Sequence, residues 1–459
     1  MRDHTHAIGK AFAAATTAEP SDLLGAALQA HRYIERFRVS DPDGSYWISE
    51  PDAGIDLGFE NGSAGIAYFY LQLYKSTHDT DYLRIAQEGY RYIHRHWKQQ
   101  LSISTQMPNV NHFALNVSSG VGSIANALLA YHDETQDGDS LATLREIGAY
   151  LASTAEQTND EVRWSGLPYF SLGDSGIALL MLRIADRLGD DDLRSLAIAA
   201  AKTIMKLQAP HPRGGSAWDV KPFGYPHSFP NFVIGTSGIS FVMSVFYEHT
   251  KDPAFLESAR SAVDYLQGIS VSQQEGTLVP LTDDPQDRVF YLGSCHGACG
   301  TSKVYYQLYR MTGDNKYKRA IESMTQGIVS TGAPEVQSAG YWNNTCVCCG
   351  TAGLLQHYIA QYAAFGEQSS LDVAVRCAKV LLGEAEDVGD GAIAWPLAET
   401  RLEPDRITLS KGYMHGAAGI ASTLLQLNQV LQGELSWNRL IDDPYPKQVI
   451  ANAGRGAYR

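Results

Sequence analysis

The amino-acid sequence predicts an all-α protein in which seven pairs of helices close into an (α/α)7 toroid, a barrel of two nested helix layers. Three observations lead to this fold class. A short glycine phrase recurs along the chain, an apolar stretch of about four helical turns follows each copy, and amphipathic segments stand between the apolar ones. Together they indicate one repeated unit rather than several unrelated domains.

The glycine phrase has the form Gly-x-x-Gly and returns at intervals of about 55 to 65 residues. One copy, around Ser118-Ser119-Gly120, is degenerate. The complete copies begin at Gly62, Gly173, Gly235, Gly297, Gly350 and Gly416. Because a fixed internal period marks stacked supersecondary units, the phrase divides most of the chain into seven repeats.

The two helices of each repeat differ in polarity. The stretch after each glycine phrase lacks proline and is apolar on most of its surface, so its helix has to be buried on both sides. The other segment, for example DYLRIAQEGYRYIHRHW, has apolar residues at i, i+3, i+4 and i+7 with charged residues between them. Its helix therefore has one face that contacts solvent. We expect the apolar helices inside and the amphipathic helices outside, with N-caps at Asp139, Asp252 and Ser370. An open solenoid would need polar capping repeats, which the sequence does not show.

The composition of the 459-residue chain excludes several classes of protein. A hydrophobic share of 44% and a charged share of 19% argue against a disordered chain. Lys and Arg total 36 against 50 Asp and Glu, a net charge of −14, which argues against nucleic-acid binding. With no apolar run long enough to span a membrane and no signal-peptide core, we expect a cytoplasmic protein. We expect one domain over residues 1–459, with tails at about 1–19 and about 433–459.

The segments that lead into the glycine phrases are rich in turn residues and aromatics, as in SAGYWNNTCVCCG. All of them join the same end of an apolar helix, so they crowd one face of the predicted ring. A rigid scaffold that presents loops on one face is the usual place for a functional site. The inner helices also direct the positive ends of their dipoles to that face.

Cysteines precede two of the glycine phrases. Ser294-Cys295-His296 stands before the fifth phrase, and Cys346-Val347-Cys348-Cys349 stands before the sixth. Because the two groups hold the same place in neighbouring repeats, a closed ring brings them side by side. Three thiolates, from Cys295, Cys348 and Cys349, then suit a zinc site with one position left open.

Other interpretations of the cysteines stay open. In one alternative, all of these cysteines are buried and chemically inert. In another, Cys346 replaces Cys348 or adds a fourth ligand. We interpret Cys299, one turn into its helix, and Cys377, on an outer helix, as core residues.

Taken together, these residues resemble the lanthionine synthetase C-like proteins, which include the bacterial lanthipeptide cyclases. The resemblance runs from about residue 20 to 432 and is carried by the glycine phrases, the Cys-His-Gly phrase and the later Cys-x-Gly phrase. It implies a barrel of two nested seven-helix layers and one zinc ion, held by Cys295, Cys348 and Cys349. The chain departs from the family pattern because Cys349 replaces the usual His. It also has Ser294, Phe113 and Ile234 at or near the places of a usual Trp, Asp and His.

The resemblance also implies an activity. A zinc-dependent cyclase adds peptide cysteine thiols to dehydroalanine or dehydrobutyrine and so forms (methyl)lanthionine thioether rings. A free thiol with a pKa of about 8.5 is mostly protonated at neutral pH, and zinc coordination would generate the thiolate. The partner would be a dehydrated precursor peptide. Because the sequence shows no dehydratase or kinase domain, we expect a separate dehydratase to supply it.

This reaction also needs an acid that protonates the enolate, and a donor that stabilises it. His296 adjoins a predicted ligand, His415 opens the seventh glycine phrase, and His227 lies in the loop before the fourth. Asp174 stands inside the third phrase, where it is either functional or a helix cap. Arg288 precedes Cys295 closely enough in the chain to be a candidate for holding the enolate oxygen.

Two further functions stay open. An α/α-barrel glycosidase would need two carboxylates, available from Asp56, Glu60, Asp174, Asp283 and Asp284. Aromatic loops that would suit sugar stacking contain Trp47, Trp164, Trp218, Trp342 and Trp395. Within the family, the alternatives are a protein that adds glutathione to dehydroamino acids and a binder without activity.

Overall fold

The computed structural model describes residues 10–48, 54–103, 114–158, 161–221, 224–398, 400–434, 436–437 and 440–446. Phe113, named above for its departure from the family pattern, lies outside these residues. Within them the chain is mainly helical, and its strands form two-stranded sheets only. No helix in these ranges combines the length and the apolar character that crossing a membrane requires. The all-α prediction is confirmed.

The described helices follow one another along the whole chain. In order they are α1 (Pro20–Glu35), α2 (Ser63–Thr77), α3 (Thr80–His96), α4 (Gln100–Ile103), α5 (Val121–Thr135), α6 (Gly138–Thr154), α7 (Asp174–Leu188), α8 (Asp191–Lys206), α9 (Thr236–Thr250), α10 (Pro253–Ile269), α11 (Ala298–Thr312), α12 (Asn315–Ser330), α13 (Thr351–Phe365), α14 (Gln368–Gly383) and α15 (Ala417–Leu431). A single 3-10 turn, Trp97–Gln99, precedes α4.

These helices form two nested layers, of which the inner one is closed. The inner layer is α2, α5, α7, α9, α11, α13 and α15; each packs on the next, and α15 returns to α2. The outer helices α3, α6, α8, α10, α12 and α14 each pack on the inner helix that precedes them, because a connection of only two residues joins the two. Helix α1 is the first of the described helices and packs on α15. The predicted (α/α)7 toroid is confirmed, and its two ends close the ring.

Glycine begins every inner helix. The N-cap residues are Gly62, Gly120, Gly173, Gly235, Gly297, Gly350 and Gly416. The second glycine of the phrase is needed because the incoming loop crosses the first helical turn. A Cβ atom would lie 1.8 Å from the Phe232 carbonyl oxygen at Gly238, and 1.7 Å from the Tyr413 carbonyl oxygen at Gly419. This close approach explains why the phrase recurs in the sequence.

Aspartate N-caps begin five of the outer helices. Asp79, Asp137, Asp190, Asp252 and Asp314 each accept a hydrogen bond from a backbone N–H of the first turn. The prediction for Asp252 is confirmed, but those for Asp139 and Ser370 are wrong. Asp139 is the second residue of α6, whose N-cap is Asp137, and the N-cap of α14 is Glu367. The apolar period locates a helix, but with polar residues on either side of the boundary it does not select the capping residue.

Short strands brace the loops. The antiparallel pairs are β2 (Arg38–Asp41) with β3 (Gly44–Trp47), β4 (Glu156–Gln157) with β5 (Val162–Arg163), β6 (Ala209–Pro210) with β7 (Ser216–Ala217), β8 (Val271–Ser272) with β9 (Thr277–Leu278), β13 (Glu386–Asp387) with β14 (Ile393–Ala394), and β15 (Pro396–Ala398) with β16 (Ile407–Leu409). Two pairs join distant segments. β1 (Lys10–Ala11) pairs antiparallel with β11 (Val336–Gln337), and β10 (Phe290–Tyr291) pairs parallel with β12 (Tyr341–Trp342).

Parts of both predicted tails pack against the toroid. Near the N-terminus, Ala15 donates a backbone hydrogen bond of 2.8 Å to the Lys379 carbonyl on α14. Near the C-terminus, Ile441 and Tyr445 are buried among the inner helices. The tails lack helical periodicity, which is why these contacts could not be predicted from the sequence.

Candidate metal centre and its surroundings

A series of backbone hydrogen bonds links the same position of successive repeats. The position lies two residues before the N-cap glycine of each inner helix. The N–H groups donate from Ser171 to Val233, from Val233 to Cys295, from Cys295 to Cys348, from Cys348 to Met414, and from Met414 to Glu60, at 2.7 to 3.1 Å. We call this series the backbone belt. It fixes the register between neighbouring loops, and Cys295 and Cys348 are consecutive members of it.

The belt brings three thiols together at the N-terminal ends of α11 and α13. The sulfur atoms of Cys295, Cys348 and Cys349 all lie within 4.8 Å of one another. Cys295 Sγ is 3.0 Å from Cys349 Sγ, and Cys349 Sγ is 3.4 Å from Cys348 Sγ. None of the three forms a disulfide. The structure therefore brings together all three of the predicted ligands.

Hydrogen bonding within the cluster favours a negative charge on one sulfur. The thiols of Cys295 and Cys349 act as donors to Cys348, and His415 adds a further hydrogen bond, so the pKa of Cys348 lies well below its usual range. Burial raises the pKa of Cys295 well above the ordinary thiol value. The cluster thus favours a thiolate at Cys348 that its neighbours solvate.

His415 lies against the cluster on the side of the first repeat. Its Nδ1 atom is 3.3 Å from Asn61 Oδ1 and 3.5 Å from Glu60 Oε1, and its imidazole hydrogen-bonds with Cys348. Burial acts to lower the pKa of His415, but the hydrogen bond and the charges of Cys348, Cys346 and Glu60 outweigh it and raise the pKa to about 10. Ser118 Oγ donates to Glu60 Oε2 at 3.0 Å and so fixes that carboxylate.

Glu60 is the member of this group that the sequence did not connect with His415. From the sequence alone, Glu60 is a candidate only as a glycosidase carboxylate. A signal was present, because Glu60 stands two residues before the first N-cap glycine, as Cys295 does before the fifth. Closure of the ring makes the seventh and first repeats neighbours, and this places Glu60 beside His415.

His296 occupies the other side of the cluster and is packed in aromatic rings. Its ring centroid lies 5.1 Å from that of Tyr291 and 5.9 Å from that of Phe229. Its Nδ1 atom is buried and has no hydrogen-bond partner among the described residues. Burial lowers the pKa of His296 to about 4, so the imidazole is neutral at pH 7. Of the two histidines that flank the cluster, His415 is therefore the better proton donor.

The other candidates from the sequence make their described contacts elsewhere. His227 lies 3.8 Å from an Asp283 oxygen and 3.5 Å from an Asp284 oxygen. Arg288 is exposed and donates to the carbonyl groups of Pro285 and Asp287 in its own loop, at 2.9 and 2.8 Å. No described contact links either side chain to the three thiols.

Asp174 is buried, and its carboxylate organises the loop before α7. It accepts hydrogen bonds from the backbone N–H and hydroxyl of Ser165, at 2.8 and 2.7 Å, and from the N–H of Gly166 at 3.0 Å. We expect Asp174→Ala to lower the free energy of unfolding by about 3 kcal/mol, because it leaves these donors without an acceptor. Urea unfolding followed by circular dichroism measures this. A loss of activity much larger than the loss of folded protein would instead support a chemical role.

The remaining cysteines are buried. Cys346 Sγ accepts a hydrogen bond of 3.4 Å from the Cys349 N–H and so supports the turn that carries Cys348 and Cys349. Cys299 and Cys377 are 3% and 0% exposed, as expected for core residues.

Comparison with known proteins gives the family of the chain and relatives of its fold. The family model of the lanthionine synthetase C-like proteins matches residues 55–435. The chain belongs to this family. Among solved structures, a nisin cyclase shares 13% sequence identity over 86% of this chain and 91% of that chain, with a TM-score of 0.58. A cellobiose 2-epimerase from Spirochaeta thermophila shares 14% identity over 90% of this chain and 97% of that one, with a TM-score of 0.46. A comparison with curated proteins found no match.

The donor set of this lanthionine synthetase C-like protein fits zinc. Three sulfur atoms converge without a disulfide, and thiolates are preferred ligands of zinc. Three protein ligands are also the number found in catalytic zinc sites, where the fourth position takes water or substrate. The hydrogen bond between His415 and Cys348 has the form of the outer contacts that orient metal ligands.

The structure removes the main support for a glycosidase. All five tryptophans that would suit sugar stacking are buried, at 0 to 4% exposure: Trp47, Trp164, Trp218, Trp342 and Trp395. Three of them instead donate from the indole Nε1 to carbonyl groups near the ends of outer helices. Trp164 bonds Leu151, Trp218 bonds Ile204 and Trp395 bonds Leu381, at 2.6 to 2.8 Å. These tryptophans hold the loops to the outer layer and are not available to a sugar.

Proposed function

We propose that this protein is a zinc-dependent lanthipeptide cyclase. It adds the cysteine thiols of a peptide to dehydroalanine or dehydrobutyrine and so forms (methyl)lanthionine rings. The observation that carries the proposal is the cluster of three thiols at the inner-helix N-termini, with His415 hydrogen-bonded to it. Membership of the lanthionine synthetase C-like family supports the same reaction class.

Cys295, Cys348 and Cys349 would hold the metal. When bound, a zinc ion supplies the Lewis acidity that lowers the pKa of a substrate thiol. The three side chains come from two adjacent loops that the backbone belt holds in register, so the chain presents them without rearrangement. Burial of Cys295 limits the water that reaches this side of the cluster.

His415 would deliver the proton that completes the addition. As the substrate sulfur bonds to the β-carbon, the double-bond electrons move toward the carbonyl and form an enolate. The α-carbon then takes a proton from His415, which solvent restores. Asn61 and Glu60 hold the Nδ1 edge of the imidazole, and Ser118 holds Glu60. The roles predicted for His296, His227, Asp174 and Arg288 stay predictions.

The substrate would be a precursor peptide that a separate dehydratase has already dehydrated. The test is to incubate purified protein with such a peptide and to follow the loss of free thiols, since ring closure leaves the mass unchanged. Parallel reactions contain glutathione with a cysteine-free dehydrated peptide. Thiol loss in the first reaction supports a cyclase. Glutathione adducts without ring closure would favour the family alternative. If neither rings nor glutathione adducts form, the proposal is contradicted.

We also expect the fold to survive without metal. Seven helix pairs bury a core much larger than one metal site can add, unlike a zinc finger, whose folding depends on the metal. Chelation should therefore abolish ring closure while lowering the thermal midpoint by less than about 5 °C. Circular dichroism before and after chelation measures this. A global loss of helicity would contradict it.

A further inference from the structure

Part of the C-terminal tail crosses the axis of the toroid. Ile441 donates its N–H to Asn126 Oδ1 on α5 at 3.0 Å, and the adjacent Asp442 forms an ion pair with Lys303 on α11. In the closed order of seven inner helices, α5 and α11 lie on opposite sides of the ring. Two consecutive residues that bond to opposite walls have to lie in the central channel.

The depth of this segment follows from the positions of its partners. Asn126 and Lys303 are each the sixth residue of their helices, and so is Tyr68, whose ring contacts Trp437 at 6.3 Å. At 1.5 Å per residue, these partners lie about 8 Å below the ends that carry the thiols. Helix α15 ends at the opposite face, so the chain re-enters the channel from that face.

Tyr445 anchors the end of the segment. It is 6% exposed, its hydroxyl lies 3.1 Å from Ser302 Oγ and accepts from Gln361 Nε2 at 3.2 Å, and its ring lies 4.5 Å from that of Tyr306. We define Trp437 and residues 440–446 as the plug segment.

A cavity of about 120 Å³ separates the plug segment from the loops that carry the thiols. Trp437, Asp442 and Tyr445 line one side of it, and Ser294, Val347 and Met414 line the other. Its wall includes the sulfur-bearing residue Cys299, on the first turn of α11.

We propose that the plug segment closes the central channel of the toroid from the face opposite the thiols. The ring is thereby a cup with one mouth. A peptide enters and leaves on the thiol side and does not thread through, and the cavity that Cys299 lines lies between the thiol-side loops and the plug segment. This inference does not depend on the proposed function, because it concerns the channel and not the chemistry at its mouth.

The channel walls indicate that the plug segment can leave without unfolding the ring. The residues that it covers include Asn126, Ser302, Lys303 and Gln361, all of which water can solvate. An apolar wall would be costly to expose, whereas a polar wall exchanges one set of hydrogen bonds for another.

The test is the reactivity of Cys299 toward N-ethylmaleimide, located by peptide mapping, in the full chain and in a chain that ends at Gln432. We expect removal of the plug segment to speed the labelling of Cys299 at least about tenfold. Cys377, which is a buried residue of α14, is the internal control and should stay protected while the ring is folded. Unchanged protection of Cys299 in a folded, shortened chain would overturn the proposal.

A full-length variant keeps the test decisive if the shortened chain unfolds and Cys377 is labelled as well. Asp442→Lys opposes the Lys303 ammonium and should expel the plug segment, again exposing Cys299. The matched control is Glu367→Lys, which places the same charge change opposite Lys318 in the outer layer, where the ion pair measures 3.0 Å. Faster labelling in the first variant but not in the second supports the plug. Equal labelling of Cys299 in the two variants contradicts it.

Discussion

Replacing Cys348 with alanine should abolish ring closure and remove most of the bound zinc. Cys348 is the sulfur toward which Cys295, Cys349 and His415 all direct hydrogen bonds, so its loss removes both a ligand and the centre of the cluster. Without a metal to lower its pKa, the substrate thiol stays mostly protonated at neutral pH. We expect the rate to fall by at least about a thousandfold. Thiol consumption measures the rate, and elemental analysis measures the zinc.

The matched control is Cys377→Ala, which removes a buried thiol far from the cluster. It should keep one zinc per chain and full activity per folded molecule, at a cost in stability of about 1 kcal/mol. Cys349→Ala tests the ligand set further. Full zinc occupancy in that variant, with Cys346 intact, would show that Cys346 is the third ligand. Ring closure at the normal rate by Cys348→Ala would contradict the metal assignment.

The sequence was sufficient to predict the ring and the meeting of the thiols, for one physical reason. The glycine phrase marks where each inner helix begins, so residues at the same distance from it lie at the same height in the ring. Cys295 and Cys348 stand two residues before Gly297 and Gly350, and the backbone belt joins them directly. A periodic scaffold thus converts spacing in the sequence into proximity in space.

What the sequence left unresolved lies where periodicity ends. The pairing of Glu60 with His415 crosses the seam between the last repeat and the first, so it depends on closure and not on local pattern. The plug segment lies after the last repeat and lacks the glycine phrase and the helical period, so its sequence predicts only a tail. The tryptophans looked like a binding surface because their burial depends on which way each loop folds against the outer layer.

His415→Asn should slow ring closure by about 10²- to 10⁴-fold, the range for removal of a general acid or base. Asparagine keeps a polar side chain beside Asn61 but cannot deliver a proton. Because His415 is not among the three clustered thiols, the variant should keep its zinc and still bind the peptide. The rate of thiol loss at saturating peptide, together with the zinc content, separates a missing proton donor from a damaged metal site.

Glu60→Gln should give a smaller effect than His415→Asn. It keeps the side-chain shape that Ser118 contacts but removes the charge that faces His415. We expect it to lower kcat by about tenfold with little change in KM, a smaller effect than that of His415→Asn, since the imidazole remains but is held less firmly. The control is His249→Asn, on the opposite end of the inner layer beside Asp186, which should close rings at the normal rate. If His415→Asn slows closure no more than a few-fold, water or another side chain donates the proton. The contacts of His415 with Glu60 and Asn61 would then serve only to close the seam of the ring.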